Sequence, residues 1–295
     1  MLIYGVDYFT FHDVLEIIKH PKKAKLDKKS KQQIINSYQN VQKIVKSDKT
    51  VYGINTGFGP LCETKISEEE TAKLQENLII SHSVGVGKPI AKEISKIMMV
   101  SKIHALSKGF SGISLQVVER LILMVEKDII PVVPEQGSVG ASGDLAPLAH
   151  LVLPLLGLGK VWDGEQIVET SAVLQKHQLQ PLQLQAKEGL ALINGTQFIL
   201  AHAIKGLEKF EYLLNLADLA AAFSIEAYQG SASPFKKELH EIRPYKGSKL
   251  VAKRMLKLLK NSENLEYHEN CGRVQDPYSM RCVPQVHGAS RNAYE

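Results

Sequence analysis

The sequence has 295 residues, of which 44% are hydrophobic and 23% are charged. A chain of this length and composition can bury a large core in one or two domains. Its net charge of +5 is spread over 36 basic and 31 acidic residues, which is too dilute to indicate a nucleic-acid partner.

The N-terminus, MLIYGVDYFT, has no basic segment followed by a long apolar run, so we expect no signal peptide. The most apolar stretch, LAPLAHLVLPLLGLG, is interrupted by prolines and a histidine and is too short to cross a bilayer. Cys62, Cys271 and Cys282 are too few and too scattered for a disulfide framework or a zinc site. The sequence therefore predicts a soluble, cytoplasmic protein without a membrane partner or a metal site.

Most of the chain has helical periodicity. A helix capped by Thr10 is followed by a short strand that runs into a loop in VYGINTGFGP, and by a small hairpin around Asp163-Gly164 in 159–169. The other predicted helices cover 28–46, the stretch after a capping box of Ser67 and Glu70, 91–108, 114–129, an apolar and buried bundle helix over 196–228, and 247–260. The fold class predicted is mainly α, with a few short strands near the glycine-rich loops.

One loop, GSVGASGDLAPLAH at 137–150, places three glycines around Ser142. It lacks the lysine of a phosphate-binding loop, misses the spacing of a nucleophile elbow by one residue, and is not part of an alternating β/α pattern. A plain structural turn remains an alternative on spacing alone. Asp144 is expected to cap the helix that follows, LAPLAHLVLPLL.

The Ala-Ser-Gly triplet in this loop also allows chemistry of the backbone itself. If the loop holds the amide nitrogen of Gly143 against the carbonyl carbon of Ala141, attack and loss of water close a five-membered ring. Loss of a second water from Ser142 leaves an exocyclic methylene, which is an electrophile. Glycine suits the attacking position because it has no Cβ to obstruct such a fold-back.

The pattern G-x-x-x-A-S-G-D-L-x-P-L-A-H resembles the signature of the aromatic amino acid ammonia-lyases and aminomutases. Four more blocks resemble the family in the same order, namely YGINTGFGP, NLIISHSVGVG, INGTQ and QDPYSMRCVPQVHGA. The resemblance implies a mainly α fold of the helical-bundle aromatic-lyase type, with short strands near the loop. It also implies an N-terminal domain over 1–200 that contains the electrophile, and the beginning of the central helical bundle over 201–295.

The reaction that the resemblance implies is elimination of ammonia across the Cα–Cβ bond of an L-amino acid. The family's cofactor, 4-methylideneimidazole-5-one (MIO), would form from Ala141, Ser142 and Gly143, with no external cofactor, and would make the substrate amine a better leaving group. Tyr52 matches the family's catalytic base, although it could also be a packing residue at a strand end. Asn194 matches the asparagine that hydrogen-bonds the MIO oxygen, but an asparagine before a glycine is by itself typical of a turn or a helix cap.

The resemblance also assigns residues to the substrate. Arg281 matches the arginine that binds the substrate carboxylate, and Gln275 and Tyr278 in the same segment would orient the substrate and the MIO. Ser81-His82 matches the family members that act on histidine, whereas other members carry Phe-Leu or His-Leu at this pair. His82 could instead be an ordinary residue on a helix face.

Three functions therefore stay open at this point. The first is elimination of ammonia from L-histidine to give trans-urocanate, in a homotetramer whose sites are built from more than one subunit. The second is a lyase or aminomutase for tyrosine or phenylalanine. The third is an inactive fragment that serves only in assembly, because family members continue through helices beyond this chain and take a glutamate and an aromatic pocket residue from them.

Overall fold

The structure, a computed structural model, describes residues 1–47, 49–57, 66, 68–266 and 272–295. These residues are mainly helical with a few short strands, as the sequence predicts. They form two compact units, Met1–Lys205 and Gly206–Glu295. The assignment of the cofactor to a domain over 1–200, and of 201–295 to a central bundle, stays a prediction.

The first unit contains eight α-helices among its described residues, and α9 begins in this unit and ends in the second. The helices are α1 (Phe11–Lys19), α2 (Lys28–Val45), α3 (Glu68–His82), α4 (Lys92–Leu106), α5 (Leu115–Glu126), α6 (Leu145–Val152), α7 (Thr170–Lys176), α8 (Glu188–Ile193) and α9 (Gln197–Ala227). Its strands are β1 (Leu2–Ile3), β2 (Ala24–Lys25), β3 (Val86–Pro89), β4 (Ile130–Pro131), β5 (Pro134–Gln136), β6 (Lys160–Asp163) and β7 (Gln166–Glu169).

Local capping explains where several of these helices begin. Thr10 accepts a hydrogen bond from the Asp13 amide, and the Asp13 side chain accepts one from the Thr10 amide, so the predicted cap of α1 is confirmed as a reciprocal capping box. Asp27 caps α2 and Ser114 caps α5 through a single bond each, which their side chains accept from the amides of Ser30 and Val117. The predicted capping box of Ser67 and Glu70 is not described, because Ser67 lies outside the described residues. Cys62 and Cys271 also lie outside them.

Short strands lead the chain into the glycine-rich loop. β3 pairs antiparallel with β5, and β5 ends one residue before the loop begins. The predicted hairpin is confirmed, because β6 and β7 pair antiparallel around the turn at Gly164, and β6 also pairs with β4. These strands are too short to form a layer of their own, so they act as connections between helices.

The core of the first unit surrounds α4. Every residue from Ile97 to Ile103 is buried, which is typical of a helix at the centre of a core. One of these buried residues, Lys102, is charged.

The second unit packs the later part of α9 against short helices. These are α10 (Lys237–Glu241), α11 (Lys246–Leu258), α12 (Glu263–Glu266), α13 (Tyr278–Arg281) and α14 (Val283–Tyr294). Its apolar core includes Ile225, Phe235 and Met255. The fully buried carboxylate of Asp218 on α9 is paired with Arg254 on α11 and with Arg291 and His287 on α14. These ion pairs connect the three helices of the unit.

The predicted burial of α9 is only partly correct. A single stripe is buried, from Phe198 through Leu214 to Ile225, whereas large apolar side chains on other faces, including Phe210 and Phe223, are exposed. A helix that is apolar on all sides is typical of the interior of a bundle, and the described residues cover one side of it. None of the described helices is long and apolar enough to cross a membrane.

Candidate active site

The glycine loop, residues 137–144, connects β5 to α6. A bridge between Gly140 and Gly143 closes a tight turn with Ala141 and Ser142 at its tip. Both tip residues are exposed. The chain therefore doubles back within these four residues.

A second glycine, Gly195, contacts this turn at Gly143. Gly143 forms a parallel bridge with Gly195, and the Asp144 amide donates to the Gly195 carbonyl at 2.7 Å. Gly143 has a φ of +105°, and a Cβ at this position would lie 2.2 Å from the Gly195 oxygen. Any side chain would therefore break the contact, so this position requires glycine for both its backbone angle and its close approach.

Asp144 has a different role from the one that the sequence predicts. It occupies the N-cap position of α6, but its side chain makes no capping bond there. Its buried carboxylate instead accepts hydrogen bonds from the backbone amides of Phe198 at 2.9 Å and Ile199 at 3.1 Å, in the first turn of α9. The Ser138 hydroxyl donates to the other oxygen. The predicted cap was wrong because the fold brings the start of a second helix, more than fifty residues later in sequence, within reach of the same carboxylate.

Asn194 lies directly beside this contact, at the C-cap of α8. Its side chain is exposed, and its backbone amide donates to Leu190. Its carbonyl accepts a hydrogen bond from the Lys102 ammonium at 2.7 Å. The residue is thus a helix cap, as its sequence context suggests, and it also adjoins Gly195, which contacts the turn at Gly143.

Sequence reasoning missed Lys102. Lys102 is 2% exposed, and burial lowers the pKa of its side chain to about 7. The helical spacing of Met98, Lys102 and Leu106 places the lysine on the buried face of α4. That spacing is the sequence signal for Lys102, because a lysine on an apolar helix face is buried and needs a polar partner.

Tyr52 lies in a turn, so the predicted short strand is wrong. The amides of Ile54 and Asn55 both donate to the Val51 carbonyl, and Gly53 has a φ of +71°. A left-handed residue and a chain reversal at this point are incompatible with an extended strand. The Tyr52 side chain is 57% exposed, and its predicted catalytic role stays a prediction.

His82 is the last residue of α3 and is half-buried. Its Nδ1 lies 2.8 Å from the Leu78 carbonyl oxygen. Because a carbonyl can only accept, Nδ1 carries the proton, and in the neutral ring Nε2 is left as a hydrogen-bond acceptor.

The segment after His82 lies against the glycine loop. A Cβ on Gly137 would be 3.2 Å from the Gly85 Cα, so the two backbones are in close contact. The Gly85 amide donates to His150 Nε2 at 3.0 Å, and burial lowers the pKa of this histidine. His150 therefore connects α6 to the segment that begins at His82.

The remaining predicted residues form a separate cluster in the second unit. The Arg281 Nε donates to the Asp276 carbonyl at 2.7 Å, and its guanidinium lies 4.5 Å from the centre of the Tyr278 ring. With its amide oxygen facing the guanidinium, Gln275 accepts from both terminal nitrogens of Arg281. Buried Asp276 anchors the segment through the Ser231 amide at 2.6 Å.

The structure thus gathers seven of the nine predicted residues into two groups, whereas Tyr52 lies in the turn after Val51 and His82 lies at the end of α3. Ala141, Ser142, Gly143 and Asn194 are connected through Gly195, whereas a second set lies around Arg281. No group of histidine, cysteine or acidic side chains in the described residues could hold a metal ion.

A sequence model of the family described as aromatic amino acid lyase matches residues 9–295. The chain belongs to this family. The resemblance carried by the sequence blocks is therefore confirmed, and so is the aromatic-lyase fold.

Known relatives agree with this assignment. A histidine ammonia-lyase from Yersinia enterocolitica is 47% identical over 281 residues, which are 95% of this chain and 55% of that protein. The crystal structure of histidine ammonia-lyase from Trypanosoma cruzi is 35% identical with a TM-score of 0.84, covering 99% of this chain and 55% of that one. Tyrosine aminomutase from Streptomyces globisporus is 30% identical with a TM-score of 0.84, covering 99% of this chain and 59% of that one. The chain spans about half the length of the curated relatives that it matches.

Proposed function

We propose that this chain supplies the cofactor-forming loop and part of the active site of an ammonia-lyase that converts L-histidine to trans-urocanate. The proposal is supported by membership of the aromatic amino acid lyase family and by similarity to histidine ammonia-lyases, among them relatives with 42% and 47% identity. In this proposal the whole protein is a cytoplasmic homotetramer that requires no external cofactor.

The cofactor proposed is MIO, formed from Ala141, Ser142 and Gly143. The observation that carries the proposal is the turn closed by Gly140 and Gly143, with the Gly195 oxygen packed where a Cβ of residue 143 would be. The residues present fit the group, because the ring needs a glycine at 143 and a serine hydroxyl at 142. When formed, the group supplies an electrophile for the substrate amine.

Two further residues act around this group. We assign to Tyr52 the removal of a proton from the substrate Cβ, because its phenol is exposed on a tight turn rather than packed in the core. We assign to the Asn194 side chain a hydrogen bond to the oxygen retained in the cyclised loop, since this residue adjoins Gly195.

His82 would select the substrate by accepting one hydrogen bond. Its Nδ1–H is used by the Leu78 carbonyl, so the Nε2 lone pair is available to an N–H of the substrate imidazole. A phenyl ring offers no such donor, and an acceptor that the bound substrate covers without a hydrogen bond costs about 1–3 kcal/mol. This difference favours an imidazole substrate.

Arg281 would bind the substrate carboxylate. A planar guanidinium can hold a carboxylate through two parallel hydrogen bonds, and here Gln275 already occupies the fork while Tyr278 supports its face. Gln275 therefore keeps the guanidinium oriented until the carboxylate displaces or joins it.

The proposal is tested on the purified full-length protein by two measurements. Intact mass should be lower than the sequence mass by two waters, and incubation with L-histidine should release ammonia and a conjugated, ultraviolet-absorbing product. A protein with the full sequence mass would contradict the cofactor, and a cyclised protein that does not act on L-histidine would contradict the substrate.

A lyase or aminomutase for tyrosine is the second candidate, favoured by the similarity to the Streptomyces tyrosine aminomutase. A panel of L-histidine, L-tyrosine and L-phenylalanine separates the two, since an aminomutase yields a β-amino acid rather than free ammonia. A cyclised loop with no turnover of any of the three would favour the inactive assembly fragment.

A further inference from the structure

Lys102 is connected to the glycine loop through the Asn194–Gly195 peptide. In the described part of the chain, its hydrogen-bond acceptor is the Asn194 carbonyl at 2.7 Å, and no Asp or Glu there forms an ion pair with it. A buried ammonium with one backbone acceptor is costly compared with an apolar side chain. Packing of α4 alone would be served better by a methionine, which α4 already uses at positions 98 and 99.

The contact fixes the orientation of one peptide plane. Because the trans peptide is planar, a carbonyl of Asn194 held towards Lys102 directs the Gly195 amide the opposite way. Gly195 has a φ of +151°, a conformation that needs support because glycine is otherwise free to leave it. Gly195 then forms the bridge to Gly143 and accepts from the Asp144 amide.

We propose that Lys102 is a positioning residue for the glycine loop: its ammonium fixes the Asn194–Gly195 peptide, and that peptide holds Gly143 and Asp144 in the geometry from which the ring closes. This inference rests on the proposed function, because it concerns formation of the cofactor. Lys102 touches neither the substrate nor the reacting atoms in this proposal, so its effect is on the rate and extent of cyclisation.

The test compares Lys102→Met with Lys92→Met in the full-length protein. Lys92 is a lysine of the same helix whose Nζ also donates to a backbone carbonyl, that of Gly164 at 3.1 Å, on the β6–β7 turn. Freshly translated protein is sampled over time, and the loss of two waters is followed by intact mass. We expect Lys102→Met to cyclise about tenfold more slowly or worse, because small displacements of reacting atoms cost large factors in rate, and Lys92→Met to behave as wild type.

A second measurement separates a local effect from a general loss of stability. Hydrogen exchange of the segment 140–146 should be faster in Lys102→Met than in wild type, since the amide of Asp144 loses its fixed acceptor, and unchanged in Lys92→Met. Lys102→Gln, which keeps a shorter polar end, provides a second variant for the same comparison, and is also expected to cyclise slowly.

The results distinguish the two proposals. Cyclisation of folded Lys102→Met or Lys102→Gln at the wild-type rate would overturn the role of Lys102 and leave the proposed function intact. A wild-type protein that never loses two waters would overturn the proposed function, and the role of Lys102 with it.

Discussion

The Ser142 hydroxyl, exposed at the tip of the glycine loop, is the group on which the proposed cofactor depends. Ser142→Ala has no hydroxyl to eliminate and fits the same space. We therefore expect a folded protein that does not lose the second water, with turnover reduced by about a thousandfold or more. Intact mass, circular dichroism and ammonia release measure the three quantities.

Ser138→Ala is the matched control for this change. It removes a hydroxyl from the same loop, one that donates to Asp144 rather than entering the ring, and it should still lose two waters. Turnover by Ser142→Ala above a few per cent of the wild-type rate would rule out the MIO assignment.

The side chain of residue 82 is the point at which substrate preference is expected to change. Replacing Ser81-His82 by Phe-Leu removes the Nε2 acceptor and adds apolar surface. The ratio of kcat/KM for L-histidine to that for L-phenylalanine should then fall by about tenfold or more. The corresponding control is His177→Leu, a half-buried histidine at the end of α7, which should leave the ratio unchanged. An unchanged ratio in the double variant would place His82 outside the substrate pocket.

At the scale of elements, Asp144 joins the start of α6 to the start of α9. Its single buried carboxylate accepts from Phe198, Ile199 and Ser138. Asp144→Ala leaves these donors unpaired, so we expect the free energy of unfolding to fall by about 3 kcal/mol or more. Asp13→Ala, which removes an exposed capping carboxylate from α1, should cost about 1 kcal/mol. Urea denaturation of both variants provides the comparison, and equal losses would argue against the coupling of the two helices.

Helices α1 to α6, α9 and α11 were predictable because each is specified locally, whereas α7, α8, α10, α12, α13 and α14 and the contacts between elements were not predicted. Apolar spacing and a cap residue determine α1, α2 and α5 within about one turn of sequence, and the Asp163-Gly164 pair specifies the β6–β7 hairpin. The side-chain partner of Asp144 depends on a helix that starts more than fifty residues later. The turn at Tyr52 depends on Gly53 adopting a left-handed angle, which the sequence allows but does not require.

The candidate site shows the same division. The loop residues and Asn194 could be named from the sequence because their motifs are contiguous. The helical spacing indicates that Lys102 is buried, but its partner could not be named, because that partner is a backbone carbonyl oxygen ninety-two positions away and backbone atoms leave no signature in a residue pattern.

At the scale of the whole molecule, burial of Lys102 should make stability depend on pH. Its pKa is about 7 in the folded chain, whereas the pKa of an unfolded lysine is about 10.4. Between these values the unfolded state binds more protons, so the free energy of unfolding contributed by this group rises with pH. The unfavourable contribution is fully present below pH 7 and is relieved as the pH rises.

We therefore expect Lys102→Met to reduce the rise in unfolding free energy between pH 7 and pH 9 by about 2–3 kcal/mol relative to wild type. Lys22→Met, a change at an exposed lysine, should leave the pH dependence as it is. Denaturation midpoints at the two pH values measure the difference. Parallel curves for wild type and Lys102→Met would show that the ammonium keeps its ordinary titration.

The close approach of Gly143 to Gly195 determines the order in which folding and the proposed ring closure occur. The two residues are far apart in sequence and meet only in the folded chain, so the covalent change proposed for the loop can occur only after folding, and it is not reversed by later unfolding. Each molecule would then carry a permanent chemical record of having folded once. In a mixed population, molecules at full sequence mass would be those newly made or never folded. This mass difference would remain in denaturant, where all molecules are unfolded.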